Sequence, residues 1–128
     1  MPSTDSQGVI SRRILLVDDE PMIVETVKML LESDGHRVET ANNAEQALSV
    51  FAPDKFDLVI SDYMMPGMKG DVLAAKIRAT APDQGIVFLT AHGGMLEGTL
   101  SIPNAKVVTK PFTLATLREA IAQVTRSV

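Results

Sequence analysis

Short apolar runs alternating with segments of helical spacing constrain this chain more than any other feature of its sequence. Ile14-Leu15-Leu16-Val17, Leu58-Val59-Ile60 and Ile86-Val87-Phe88-Leu89 are unbroken, and Arg37 to Thr40 and Lys106 to Thr109 read as two further strands. A strand without a polar side belongs to a sheet covered on both faces, which is the usual setting of parallel strands. The intervening segments have helical spacing. Pro21 suits a first helical position, and Ile23, Val27, Leu30 and Leu31 share one face until Gly35 ends the helix. Asn43 with Gln46 reads as a capping box ahead of Ala44, Ala47, Leu48 and Phe51, and Pro53 and Asp54 break that helix. Val72, Leu73 and Ile77 follow the turn-rich Pro66–Gly70, and Leu114, Leu117, Ile121 and Val124 mark a last helix. Strands alternating with helices predict an α/β fold, a doubly wound five-stranded parallel sheet of order 2-1-3-4-5 with helices on both faces, flavodoxin-like in plan.

A chain of 128 residues is one domain's worth and long enough for a core without staples. It has no cysteine, which excludes a disulfide framework and a thiolate metal site. Met1 to Ser11 is polar, so it is no signal peptide; residues 1–11 are expected to form a flexible tail and residues 12–128 the domain. No apolar run approaches the roughly 20 residues of a membrane span, and a cytoplasmic protein is expected. A net charge of −4 speaks against non-specific nucleic-acid binding, which needs a basic footprint.

Ligands of open α/β sheets bind beyond the carboxyl ends of the strands, where strand order reverses. Four of the predicted strands end in polar groups: Asp18 and Asp19, Asp62, Thr90, and Lys110. In the order 2-1-3-4-5 these ends are neighbours and converge. Carboxylates crowded at one edge repel unless a proton or cation intervenes. Oxygen ligands without His or Cys suit Mg²⁺ or Mn²⁺. A carboxylate beside such a cation can attack phosphorus, while an ammonium and a hydroxyl neutralise and bind the transferred group. The set therefore points to phosphoryl transfer.

Val17-Asp18-Asp19-Glu20-Pro21, Ser61 to Gly70 (SDYMMPGMKG), Leu89-Thr90-Ala91 and Thr109-Lys110-Pro111-Phe112 resemble the four signature segments of response-regulator receiver domains in two-component signalling. The resemblance runs in order from about Arg13 to the C-terminus, and the predicted strand order leans on known doubly wound proteins that include such receivers. It implies that Asp62 accepts a phosphoryl group from a histidine kinase or phosphotransfer protein. It further implies that Asp19, Asp62 and the Met64 carbonyl ligate Mg²⁺ with Asp18 acting through water. Thr90, Ala91, Met64 and Lys110 would contact the phosphate, Thr90 as the switch hydroxyl, and Lys110-Pro111 would be cis. Downstream partners would bind the face made by the helix between strands 4 and 5, strand 5 and the final helix. The chain departs from the pattern at Val107, where receivers often carry Tyr or Phe. Gly93, Gly94, Gly98 and Pro103 make the segment after Thr90 a poor helix, so residues 93–103 are expected to carry the change on phosphorylation.

Plainer readings exist for each residue. Asp18, Asp19 and Glu20 can cap a helix, Asp62 can form a turn, and Thr90 and Lys110 can be ordinary strand-end residues. Met64, Met65 and Met68 read as loop packing and His36 as a surface residue near a helix end, while His92 stands two places after Thr90, where the resemblance to receivers implies a residue that can affect acyl-phosphate lifetime. Among whole functions, an aspartyl phosphatase usually places its two acids two apart after the first strand, whereas here they are adjacent. A flavodoxin-type module needs a hydroxyl- or glycine-rich phosphate loop where this chain has three acids. A phosphorylation-independent protein-binding scaffold stays open. No output domain is visible, and the only turnover expected is self-phosphorylation with slow autodephosphorylation.

Overall fold

The computed structural model describes residues 11–65, 67–91 and 104–124. Its strands are β1 (Arg13–Val17), β2 (Arg37–Ala41), β3 (Leu58–Asp62), β4 (Gly85–Thr90) and β5 (Ala105–Thr109). They pair in parallel, as the alternation of elements predicts, and in the order β2-β1-β3-β4-β5 expected from known doubly wound proteins. The described helices are α1 (Pro21–Ser33), α2 (Ala44–Val50), α3 (Gly70–Thr80) and α4 (Leu114–Val124).

Successive residues of a strand face opposite ways, so each apolar run feeds two cores. Ile14, Leu16, Leu58, Ile60, Val87, Leu89 and Val108 pack against Val27 and Leu31 of α1 and Leu117, Ile121 and Val124 of α4. Leu15, Val17, Val59, Ile86 and Phe88 pack against Ala44 and Ala47 of α2 and Leu73, Ala74 and Ile77 of α3. Both faces are covered, which is why the central strands carry no polar side. Of the three apolar residues that mark α3 in the sequence, Leu73 and Ile77 are buried, together with Ala74, whereas Val72 is exposed.

The helix ends follow their punctuation. Pro21 occupies the first turn of α1, and Gly35, with φ of 90°, lets the chain turn after Asp34 so that the Gly35 and His36 amides reach the Glu32 and Leu31 carbonyls. Asn43 caps α2 by accepting from the Gln46 amide, while the Gln46 side chain reaches the Asn42 amide, one residue before the expected reciprocal partner. His36 is buried and not a surface residue. Its Nδ1 accepts the Arg12 amide at 3.0 Å and thereby joins the start of β2 to the chain entering β1.

Asp34, also buried, accepts two hydrogen bonds from the Arg118 guanidinium, at 2.7 and 2.6 Å. This forked pair fastens the C-terminal end of α1 to α4, two helices on the same face of the sheet. Arg118 holds the Asp34 carboxyl below its usual range, against the opposing effect of burial. Residues 1–10 of the expected tail at 1–11, the glycine-rich stretch 93–103 and His92 lie outside the described residues, while the Ser11 hydroxyl donates to the Gly35 carbonyl at 2.8 Å.

Candidate phosphoryl-transfer site

The site is assembled by strand ends that the sheet holds level. Val17 is in register with Ser61, Asp62 with Leu89, and Thr90 with Thr109. Backbone hydrogen bonds continue past the strand ends: the Asp18 amide donates to Ala41, Tyr63 to Leu89 and Lys110 to Thr90. The positions of Asp18, Asp62, Thr90 and Lys110 are thus fixed by the ladder and not by flexible loops. Lys110-Pro111 is cis, as the resemblance implied.

Asp18, Asp62 and Thr90 are buried polar residues. The Lys110 ammonium, partly buried, lies 3.6 Å from Asp62 Oδ1 and 3.7 Å from Asp18 Oδ2. Asp18 Oδ1 accepts the Glu20 amide at 2.9 Å, whereas Asp18 Oδ2 is buried with no hydrogen-bond partner. The Met64 amide reaches Asp62 Oδ1 at 3.4 Å, and the Ser61 hydroxyl donates to the Asp62 carbonyl. The Tyr63 ring meets the Phe88 ring edge-on beneath this end of the sheet, with centroids 5.8 Å apart.

Burial pushes the Asp62 carboxyl above its ordinary range. Lys110 and the Met64 amide oppose that shift, and the charges of Asp19 and Glu20 add to it. Asp18 is pushed up for the same leading reason, with the Glu20 amide and Lys110 opposing and Asp62 and Asp19 adding. One ammonium therefore does not compensate this many acids, and the site favours an added cation. The donor set fits a hard one: carboxylate oxygens, one of them buried and without a hydrogen bond, with no imidazole in the set among the described residues and no thiolate in the chain.

The structure brings Asp18, Asp62, Thr90 and Lys110 together as the sequence predicts. Asp19 is exposed, close enough for its charge to act on both buried acids. The carboxylate oxygens that gather within 4.8 Å of one another belong to Asp18, Glu20 and Asp62. Sequence reasoning passed over Glu20. The available signal was an acid directly before Pro21, at the cap of α1, where a short polar cap such as Ser, Thr, Asp or Asn is usual. Ala91 is exposed just after β4, and the Met64 side chain is exposed beside Asp62. Val107 packs partly buried against the core face that holds Phe88. A separate cavity of about 330 Å³, lined by Asp54, Asp57, Pro82 and Gln84 among others, sits at the opposite, amino-terminal end of the strands.

The response regulator receiver domain model matches residues 14–122. The transcriptional regulatory protein GlrR of Escherichia coli is 36% identical over 110 residues, covering 84% of this chain and 25% of that protein. The response regulator MprA of Mycolicibacterium vanbaalenii is 34% identical over 107 residues, covering 82% of this chain and 46% of its own length. The chain thus spans between a quarter and a half of these relatives. Among solved structures, the response regulator TrrA of Thermotoga maritima, in complex with Mg²⁺-BeF, is 39% identical with a TM-score of 0.79, covering 88% of this chain and 98% of that one. The chemotaxis protein CheY4 of Vibrio cholerae is 29% identical with a TM-score of 0.77, covering 89% and 98%.

Proposed function

The chain belongs to the response regulator receiver family, and on that premise we propose that it is a phosphorylation switch whose acceptor is Asp62. The observation that carries this reading is the Lys110 ammonium set between Asp62 and Asp18, 3.6 and 3.7 Å away, at the sheet edge where four strand ends meet. In the reaction an Asp62 carboxylate oxygen attacks the phosphorus of a phosphohistidine on a kinase or phosphotransfer protein. The O–P bond forms as the P–N bond breaks, and the imidazole leaves with the electron pair. Lys110 would neutralise the added charge, and the Thr90 hydroxyl would hydrogen-bond a phosphoryl oxygen.

Asp19, Asp62 and the Met64 carbonyl would hold a divalent cation, with Asp18 acting through water; Mg²⁺, or Mn²⁺ in its place, supplies charge neutralisation on the transferring group. Asp18 Oδ2, buried, ion-paired with Lys110 and without a hydrogen bond, suits such a role. Ala91 and Met64 would add contacts to the phosphoryl group beside Thr90 and Lys110.

The new group adds roughly −1.5 to −2 charge and several strong acceptors. Lys110 and Thr90 are joined through the Lys110 amide and the Thr90 carbonyl, so a pull on either acts on β4 and β5 together. With Val107 in place of an aromatic, there is no ring on β5 to turn inward. The response falls instead to residues 93–103 and to the face around β5 and α4, where a downstream protein would bind. The reading is of a signalling switch and not a turnover enzyme, and a phosphorylation-independent scaffold gains no support from a site with acids, hydroxyl and lysine all in place.

Beryllofluoride with Mg²⁺ tests the reading. Amide resonances of Asp62, Thr90 and Lys110 are expected to shift in the wild type and to stay in place in Asp62→Ala. Unmoved resonances in the wild type would refute it.

A further inference from the structure

Glu20 has no part in the mechanism above, yet its setting is unusual. It is the N-cap of α1, where a side chain ordinarily accepts a first-turn amide, but its carboxylate makes no cap hydrogen bond. Pro21 at the next position removes one of the donors such a cap would serve. The Glu20 amide is instead tied back to Asp18 Oδ1 at 2.9 Å. That short turn folds residues 18–20 over the end of β1 and brings the Glu20 carboxylate within 4.8 Å of those of Asp18 and Asp62.

A second observation points to a ligand in that space. The Asp18 side chain is fully buried, and its Oδ2 has no hydrogen-bond partner. Lys110 forms its ion pairs with Asp18 and Asp62, not with Glu20. Four acids (Asp18, Asp19, Glu20 and Asp62) and one ammonium leave an excess of negative charge at the rim, where Asp18 Oδ2 meets the Lys110 ammonium at 3.7 Å without a hydrogen bond.

We propose that Glu20 is a rim carboxylate of the cation site, accepting hydrogen bonds from the water shell of a divalent cation and raising the affinity for it. This rests on the phosphorylation-site reading and adds to it an affinity-determining residue. Mg²⁺ keeps several waters when bound by few protein ligands, so a longer side chain at the edge has water to bind. Asp19, Asp62 and the Met64 carbonyl fix the cation's place, with Asp18 acting through water; Glu20, exposed, sets how tightly it is retained.

The test is a magnesium chloride titration followed by amide resonances of residues 18–20 and 62–64, in wild type, Glu20→Gln and Glu25→Gln. Glu25 lies on the exposed side of α1, so its variant makes the same change in net charge away from the site. Dispersed spectra confirm that each variant is folded. Removing one full charge near a doubly charged ion is expected to weaken Glu20→Gln about five- to tenfold, with Glu25→Gln within about twofold of wild type. Equal affinity in Glu20→Gln and wild type would overturn the proposal and leave the phosphorylation reading intact. Equal weakening of both variants would also overturn it, as an effect of bulk charge. A wild type that binds no Mg²⁺ would remove this proposal and the cation site together.

Discussion

Asp62 is held at a cost that the metal-free protein bears alone. Burial raises its carboxyl above the ordinary value of 3.8, with Asp19 and Glu20 adding and Lys110 opposing. A carboxyl whose folded value is raised contributes stability that is complete below its unfolded value and lost as pH rises through the folded one. At neutral pH, Asp62⁻ therefore destabilises the metal-free fold. Asp62→Asn is expected to be more stable in chelator at pH 7 by on the order of 1 kcal/mol, the scale of one well-hydrated charge contact. Urea unfolding at pH 7 and pH 3 measures it; the gain should disappear at the lower pH, and Mg²⁺ should narrow it at pH 7 by stabilising the wild type. A neutral or destabilising substitution would mean that Lys110 outweighs burial.

At the scale of elements, the site depends on how closely α3 approaches the end of β3. The Gly70 amide donates to the Tyr63 carbonyl at 2.7 Å, and a Cβ on Gly70 would lie 2.9 Å from Tyr63 Cα and 3.2 Å from the Asp62 carbonyl oxygen. Both obstacles are backbone, which cannot swing aside as a side chain would. Gly70→Ala is expected to cost about 1–3 kcal/mol of stability and to slow phosphorylation of Asp62 by displacing its strand end. Denaturation and a phosphorylation time course check the two parts. Gly67, with φ of 85° and open space around it, is a useful contrast: Gly67→Ala bears only the cost of its conformation, about 1–2 kcal/mol.

Elements were the most legible level of the sequence, because a buried parallel strand and an amphipathic helix each leave a periodic trace. The alternation of strands and helices followed from that trace; the strand order, and with it the gathering of Asp18, Asp62, Thr90 and Lys110, rested on known doubly wound proteins that include receivers. Side-chain direction leaves no such trace. Val72 was grouped with Leu73 because both are apolar, and only the seating of α3 decides which one turns to the sheet. His36, expected at the surface near a helix end, is carried inward by the turn to the Arg12 amide. Glu20 was hidden among three consecutive acids, whose directions depend on the hydrogen bond from its amide to Asp18.

Across the whole molecule, the face formed by α1 and α4 is fastened by a contact far apart in sequence. Arg118 grips the buried Asp34, and the forked hydrogen bonds hold that carboxyl below its ordinary value of 3.8. A depressed carboxyl contributes stability that is present above its unfolded value and lost as pH falls through the folded one. Arg118 is about half exposed, so solvent weakens the pair. Arg118→Ala is expected to cost about 1–2 kcal/mol at pH 7, mostly from stranding Asp34, with the difference from wild type shrinking below pH 4. Chemical unfolding at the two pH values measures this, and an equal loss at both would show that the arginine acts by packing.

The central claim concerns one oxygen–phosphorus bond, and the intact mass of the protein tests it most directly. Wild type and Asp62→Ala would be incubated with a small-molecule phosphodonor, each with Mg²⁺ and with chelator. The account predicts a gain of one phosphoryl unit in wild type with Mg²⁺, and none in chelator or in the variant. A gain that persists in Asp62→Ala, or that ignores the metal, would contradict it.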